Sequence, residues 1–221
     1  MPKTTFSNKG NQNYALLLGA DLTSRLRKDI LMNKYTIGHK LTEQRICEEY
    51  SVSRTPVREA LKQLEMEGLI EIIPNRGAFV IGFTQRDIAD IFELRKVYEI
   101  QAVKWAIERI TDYELDALEE TFEFMEFYTQ KNDLEKMLNI NTNFHQLIYI
   151  ASQNRTLHNI LSSYQIYIKH TTRGREFRKD YLPTVLEEHR EIFNAFKNKD
   201  VEAGIKAIDA HMTNSYERSC L

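Results

Sequence analysis

Three histidines have a spacing that would let them bind one metal ion. His145 follows Asn141 by four residues, so both side chains lie on one face of a predicted helix, one turn apart. His189 lies ten residues before a predicted turn at 199–200, and His211 lies eleven residues after it. If the flanking helices are antiparallel, these two imidazoles lie at about the same distance from the turn along the helix axes, because each helical residue adds about 1.5 Å. Neutral imidazole suits Zn, Ni, Co or Mn, and three protein nitrogens leave positions open for a further ligand.

The same spacing is also compatible with three unrelated histidines. His189 lies in the charged stretch Glu187 to Arg190, where a helix-surface position is an ordinary interpretation. The spacing alone therefore leaves both interpretations open.

Two arginines, Arg54 and Arg58, are four residues apart and project from one face of a predicted helix. The other face has the spacing of a buried helix face and consists of Val57, Ala60, Leu61 and Leu64. This leaves four side chains outside at the helix start: Ser53, Arg54, Thr55 and Arg58. Recognition helices of helix-turn-helix proteins enter the major groove by their N-terminal residues, where arginine pairs with guanine O6 and N7.

A third cation lies between two segments rich in β-branched residues, 69–73 and 78–81. These segments predict a β-hairpin, and its tip carries Arg76 beside Gly77. Each arginine taken alone could be an ordinary solvated charge. Their joint placement at a helix start and a hairpin tip favours contact with DNA.

The elements that must position these residues follow the order of a winged helix. Apolar periodicity predicts helices over 20–33, 42–50 and 53–67, with Thr42 and Ser53 as N-caps, and the hairpin follows them. From Thr84 onward the pattern is helical throughout, and further helices are predicted over 111–130, 133–152, 155–179, 182–198 and 200–218. Thr111 and Glu114 are expected to form a capping box at the start of the first of these. The predicted fold is mainly α: an N-terminal winged helix-turn-helix of three helices plus a hairpin, followed by an all-α antiparallel helical bundle.

The expected organisation is a loose arm over 1–13, a DNA-binding domain over 14–82, and a helical ligand-sensing and dimerisation domain over 83–221. Residues 1–82 carry 12 basic against 9 acidic residues, and the remainder carries 18 against 23. This asymmetry favours a nucleic-acid partner for residues 1–82. The overall net charge of -2 argues against a uniformly basic nucleic-acid-binding protein.

The chain has no apolar run near the roughly 20 residues that a membrane span needs. Its two cysteines, Cys47 and Cys220, have no metal-type spacing. We therefore expect reduced thiols in a cytoplasmic protein that has no membrane partner.

The string VSRTPVREAL, followed by LEMEGLIEIIPNRGAFV, resembles the DNA-binding domain of the GntR superfamily over about residues 14–81. The residues that this resemblance implies as operator contacts are Ser53, Arg54 and Arg58 on the recognition helix and Arg76 and Gly77 on the wing. The chain departs from the family at Gln44, where many members have arginine, and Arg45 lies beside it. Gln44 is therefore expected to contact DNA differently from that arginine.

Residues 84–218 resemble the FadR-type C-terminal (FCD) subfamily. Many members hold a divalent metal with an Asp-x3-His pair, a His after a Glu, and a His in the last helix. The strings Asn141 to His145, Glu188-His189 and Ala210-His211 fit those positions. The resemblance implies zinc, with Ni, Mn or Co as alternatives, although an amide oxygen at Asn141 brings no charge and should lower the affinity.

Arg95 is predicted to point inward from the middle of its helix, where a buried cation needs a partner. One interpretation is a structural salt bridge with Glu99. The other, which the family pattern supports, is that Arg95 and Glu99 belong to a ligand site, where Arg95 binds the carboxylate of a small organic acid that also occupies the metal's open positions. Arg173, with Arg175 and Arg178 along the same helix, is a further candidate for binding this ligand.

The expected function is transcription regulation: a repressor that binds operator DNA as a homodimer and responds to a carboxylate effector. Two alternatives stay open, a metal-stabilised DNA-binding scaffold without effector response and a His–metal hydrolase. For the hydrolase no glutamate is placed as in HExxH, so we expect no enzyme activity. One apolar stripe is too wide for a single core seam and is expected to contribute to a dimer face: Phe122, Phe124, Met125, Phe127 and Tyr128.

Overall fold

The computed structural model describes residues 21–171 and 180–220. The chain divides into two compact units, Met1–Thr84 and Gln85–Leu221, each with its own core. The predicted N-terminal arm and the three candidate arginines of 173–178 lie outside the described residues.

The N-terminal unit is a winged helix, as the sequence predicts. Its helices are α1 (21–31), α2 (Glu43–Tyr50) and α3 (Arg54–Met66). Its strands are β1 (Lys40–Leu41), β2 (Ile70–Ile73) and β3 (Gly77–Val80), and they form an antiparallel sheet in the order β1-β3-β2. The predicted hairpin is present as β2 and β3, and β1 adds a third strand to its edge.

Local sequence explains most of the helix boundaries in this unit. The Thr42 side chain accepts a hydrogen bond from the Arg45 backbone N–H, as expected for the N-cap of α2. Ser53 is the N-cap residue of α3, as predicted, and its side chain makes no capping hydrogen bond. That hydroxyl stays exposed at the start of the recognition helix.

The C-terminal unit is helical throughout its described part, which confirms the predicted fold class. Its helices are α4 (Gln85–Arg109), α5 (Asp112–Gln130), α6 (Leu134–Ala151), α7 (Arg155–Thr171), α8 (Tyr181–Lys197) and α9 (Val201–Cys220). Helix α4 packs against α6, α7 and α9, α5 packs against α6 and α8, and α8 packs against α9. The predicted capping box of Thr111 and Glu114 is present at the start of α5.

Three connections of this unit are built alike. Each has a residue in the left-handed conformation followed by an Asp or Asn, in the pairs Asn132-Asp133, Gln153-Asn154 and Lys199-Asp200. In each pair the second side chain accepts a backbone N–H three residues further on and so caps the next helix. Such short turns keep consecutive helices side by side.

Two contacts tie α4 to its neighbours. A Cβ added to Gly204 would lie 2.4 Å from the Cδ1 of Ile107, so the absence of a side chain lets α9 approach α4 closely. At the end of α4, the Arg109 guanidinium lies 4.8 Å from the ring centre of Trp105 and donates a 2.6 Å hydrogen bond to the Ser152 carbonyl.

Candidate metal centre and nucleic-acid interface

The three histidines meet inside the helical unit. His145 is on α6, His189 on α8 and His211 on α9, and the exposed fractions of these residues are 1%, 0% and 5%. One ring nitrogen of each lies within 4.8 Å of those of the other two. The interpretation of three unrelated histidines, with His189 on the surface, is therefore wrong.

Each imidazole faces an acceptor with its Nδ1. His189 Nδ1 lies 2.7 Å from the Val185 carbonyl, and His211 Nδ1 lies 2.8 Å from a Glu188 carboxylate oxygen. His145 Nδ1 lies 3.3 Å from a carboxylate oxygen of Glu99. Because these partners only accept, Nδ1 carries the proton and the Nε2 lone pairs are left for the interior. The Nε2 atoms of His145 and His189 are 3.3 Å apart.

Burial keeps two of these rings neutral. It lowers the pKa of His189 well below its usual value, and the neighbouring His211 and His145 lower it further. Burial likewise lowers the pKa of His211 to about 4, against the opposing hydrogen bond to Glu188. Neutral imidazole is the form that binds a metal, so the pair is ready for coordination at pH 7.

The carboxylates behind the rings are each paired with an arginine. Glu99 accepts from Arg95 at 2.8 Å and from the Tyr149 hydroxyl, and Glu188 is held by both Nη atoms of Arg218 at 2.6 and 2.7 Å. Burial opposes ionisation in both carboxyls. In Glu99 the interactions with His145 and Arg95 outweigh burial and lower the pKa to about 2.

Glu188 follows the same pattern. Hydrogen bonds from His211 and Arg218 overcome the effect of burial and lower its pKa to about 2. In the sequence Glu188 is the neighbour of His189, and nothing there indicates that the Glu188 carboxylate supports the ring of His211. Arg218 and Asn214, which also bind Glu188, were missed because they lie 30 and 26 residues away in the chain.

Asn141, the fourth candidate ligand, has an unused acceptor. It lies one turn before His145 on α6, and its Oδ1 is buried without a hydrogen-bond partner. A buried acceptor of this kind is costly unless something donates to it or is coordinated by it. Three imidazole nitrogens and one amide oxygen therefore fit a divalent metal of the zinc type.

Arg95 is buried, as predicted, and already ion-paired. Its exposed fraction is 6%, and its Nε and Nη2 lie 3.0 and 2.8 Å from the same oxygen of Glu99. This is the structural salt bridge that was one of the two interpretations. Binding of an organic acid by Arg95 and Glu99 stays a prediction, and Arg173 lies outside the described residues.

The predicted DNA-contacting residues form an exposed set on the winged helix. All eight are exposed: Gln44, Arg45, Ser53, Arg54, Thr55, Arg58, Arg76 and Gly77. The Arg58 Nε donates to Glu43 at 2.8 Å, and this hydrogen bond lowers the pKa of Glu43. Sequence reasoning missed Glu43, although Arg58 lies one helix away from it in a compact motif.

The hairpin tip brings cations together around a glycine. Gly77 has φ +102, a conformation that other residues rarely adopt, and an added Cβ would lie 3.2 Å from Lys40 Cε. Arg76 lies with its guanidinium 5.8 Å from the Phe79 ring centre. Lys40, on the unpredicted strand β1, is thus a further cation at the wing.

The apolar stripe of α5 divides between core and surface. Phe122 and Met125 are buried, whereas Phe124 and Phe127 are each 49% exposed. Phe122 stacks on Phe193 of α8 with ring centres 5.0 Å apart. A dimer face on the exposed part stays a prediction.

The geometry of the N-terminal unit defines a DNA-binding protein of the winged helix class, followed in the chain by a helical unit with a closed histidine cluster. Residues 18–80 match the family model described as bacterial regulatory proteins, gntR family, and residues 90–214 match the FCD domain. The chain belongs to this family of regulators with an FCD domain. It is a DNA-binding transcription regulator.

Similar proteins agree with this assignment. The HTH-type transcriptional regulator YdhC of Bacillus subtilis (strain 168) is 31% identical over 197 residues, which cover 88% of this chain and 87% of that protein. The gluconate operon transcriptional repressor of the same organism is 30% identical over 193 residues, covering 82% and 76%.

Among solved structures, Escherichia coli McbR/YncC matches 93% of this chain and 96% of its own, with a TM-score of 0.73 and 23% identity. This likeness shows that the fold is shared. In the described ranges 21–171 and 180–220, no helix has the length and apolar character needed to cross a membrane.

Proposed function

We propose that this regulator is a repressor whose operator affinity is set by a small organic acid, bound together with a divalent metal in the helical unit. The observation that carries the proposal is the direction of the three imidazoles. Each Nδ1 is fixed by an acceptor, so three Nε2 lone pairs converge in one buried place.

The residues that would hold the metal are His145, His189, His211 and Asn141. When bound, a zinc ion supplies positive charge and open coordination positions for the acid, and Ni, Mn or Co suit the same donors. Glu99 and Glu188 orient two of the rings from behind. Both carboxylates are ion-paired with arginines, which leaves them poorly suited to act as a general base.

On the DNA side, the exposed residues of the winged helix would contact the operator. Ser53, Arg54, Thr55 and Arg58 enter the major groove, and Arg76 with Gly77 approaches from the wing. Gln44 and Arg45 lie at the start of α2, where a glutamine side chain suits adenine rather than guanine. Two copies would read two half-sites as a homodimer, in the cytoplasm, where the chromosome is accessible.

A scaffold with a purely structural metal is the second candidate. The observation that favours it is the Arg95–Glu99 pair, because Glu99 already satisfies the cation that an effector carboxylate would use. An effector at Arg95 would have to compete with a buried, well-placed carboxylate.

Titration of operator DNA by gel shift separates the two candidates. Operator sites are first selected from random duplexes with the full chain, and binding is then measured with zinc alone and with zinc plus citrate, lactate or gluconate. Effector coupling predicts a change of about 5- to 150-fold in operator affinity with one acid. His189→Ala should abolish that change, and His158→Ala, on α7, is the matched control.

Thermal unfolding of both variants shows whether they fold, and His189→Gln replaces the alanine variant if it does not. An affinity that stays constant with every acid, while zinc still binds, would leave the scaffold as the function.

A further inference from the structure

The donors of the histidine cluster carry no net charge. The candidate donors are three imidazoles, which bind a metal in their neutral form, and one carboxamide: His145, His189, His211 and Asn141. A divalent metal held by these groups alone keeps both of its positive charges. Charge in a buried place is costly unless it is compensated nearby.

Among the described residues, the two carboxylates that support the rings are each paired with an arginine. Glu99 is neutralised by Arg95, and Glu188 is neutralised by Arg218. Each pair is close, with its nearest nitrogen–oxygen distance at 2.8 and 2.6 Å. The carboxylates that support the rings therefore do not offset the charge of a metal.

We propose that Asn141 makes the metal-loaded site selective for dianions over monoanions. This inference rests on the metal site of the proposed function and names the chemical class of its effector. A carboxylate at position 141 would leave one positive charge, which a monoanion balances. With the neutral amide two charges remain, and a ligand with two negative charges on oxygen balances them.

A dicarboxylate and an inorganic dianion share this chemistry, so both are used as probes. The whole chain of 221 residues is loaded with zinc, and its zinc content is measured by elemental analysis. Ligand binding is then followed by calorimetry at pH 7.5. Succinate and butyrate form a matched pair with four carbons each and different charge, and sulfate tests whether the dianion must be organic.

The wild type should bind succinate at least about tenfold more tightly than butyrate. Asn141→Asp should reduce this preference about tenfold, because the added carboxylate repels a dianion twice as strongly as a monoanion. Asn159→Asp adds the same charge at an exposed position of α7 and should leave the preference unchanged. Asn141→Ala, which stays neutral, should keep the preference even with weaker zinc binding.

Two results would overturn the inference. If wild type and Asn141→Asp both bind zinc and show the same succinate-to-butyrate ratio, the charge at position 141 does not select the ligand, while the metal site itself stands. If the wild type takes up no zinc, the metal site of the proposed function fails and the inference fails with it. Tight sulfate binding with weak succinate binding would assign the site to inorganic dianions, within the same proposal.

Discussion

At the scale of single residues, Glu43 binds one of the arginines proposed to contact DNA. It accepts from the Nε of Arg58 at 2.8 Å, which fixes the guanidinium at one edge. If Arg58 contacts the operator as proposed, its two Nη groups are the donors that would pair with guanine O6 and N7. A carboxylate in this place also repels phosphate, so it favours a specific contact over general attraction to DNA.

Glu43→Gln should therefore move two affinities in opposite directions. Operator binding should weaken by a few-fold, because Arg58 loses the ionic partner that holds its guanidinium. Binding to unrelated duplex should tighten about twofold at low salt, because one negative charge is gone. Glu59→Gln, an exposed change on α3, is the control and should affect both duplexes alike. A parallel loss on both duplexes would mean that Glu43 only supports the fold.

Glu67 gives a pH-dependent contribution to stability. Its carboxylate is held by the Nε and Nη2 of Arg27, each at 2.7 Å, and although burial opposes it, this pair lowers the pKa of Glu67. A depressed carboxyl pKa stabilises the folded state above the unfolded-state pKa, and this contribution is lost as the pH falls through the folded-state pKa.

We expect Glu67→Gln to lower the free energy of unfolding by roughly 1.5–3 kcal/mol at pH 7. The difference from wild type should shrink as the pH falls below about 4.3, where unfolded glutamate takes up its proton. Urea unfolding at several pH values measures this difference in the free energy of unfolding, and Glu71→Gln, at an exposed position, is the control. A difference that is the same at pH 7 and pH 3 would show that the ion pair is not its source.

At the scale of elements, the contact between α4 and α9 depends on one missing side chain. A methyl group on Gly204 would collide with Ile107 and press on Val103, at 2.4 and 3.1 Å. Helix α9 carries His211, and α4 carries Arg95 and its partner Glu99. The spacing of these two helices therefore sets the distance between His211 and the Arg95–Glu99 ion pair.

Gly204→Ala should destabilise the helical unit by about 1–3 kcal/mol through overpacking. Ile107→Val removes the Cδ1 that the new methyl group would meet and should cost about 0.5–1.5 kcal/mol alone. In the double variant the two losses should be clearly less than additive in a denaturant unfolding cycle. If the two losses in stability are fully additive, contact between the new methyl group and Ile107 is not the source of the strain.

The sequence predicted those features that depend on near neighbours. Three predictions were correct because each depends on residues close together in the chain. They are the N-cap at Thr42, the capping box of Thr111 and Glu114, and the apolar face of α3. Strand β1 has two residues and no pattern of its own, because it forms only by pairing with β3.

The candidate site followed the same division. The relative heights of His189 and His211 could be predicted, because a short turn joins their helices. The support of His211 by Glu188, and of Glu188 by Arg218, could not, because helix packing alone brings these positions together.

At the scale of the whole molecule, the two units have separate cores, and all the residues of the candidate metal centre belong to 85–221. A ligand that binds only the folded form of one unit stabilises that unit by about 2.7 kcal/mol at a concentration 100 times its Kd. The other unit gains nothing from this binding directly.

Zinc should therefore raise amide hydrogen exchange protection in peptides from α6, α8 and α9. Peptides from α1, α2 and α3 should exchange as before. Mass spectrometry resolves the two sets, and excess EDTA or His211→Ala should remove the effect. Equal protection of both units, or none in either, would contradict a metal centre confined to the helical unit.

The single tryptophan of the chain, Trp105, gives the helical unit a built-in optical signal. Its indole packs under Arg109, whose hydrogen bond to Ser152 joins the end of α4 to the turn after α6. Excitation near the red edge of aromatic absorption selects indole over tyrosine, so emission recorded there follows one unit without any attached dye. Loosening of that turn would be visible as a shift in emission colour even while DNA occupies the winged helix.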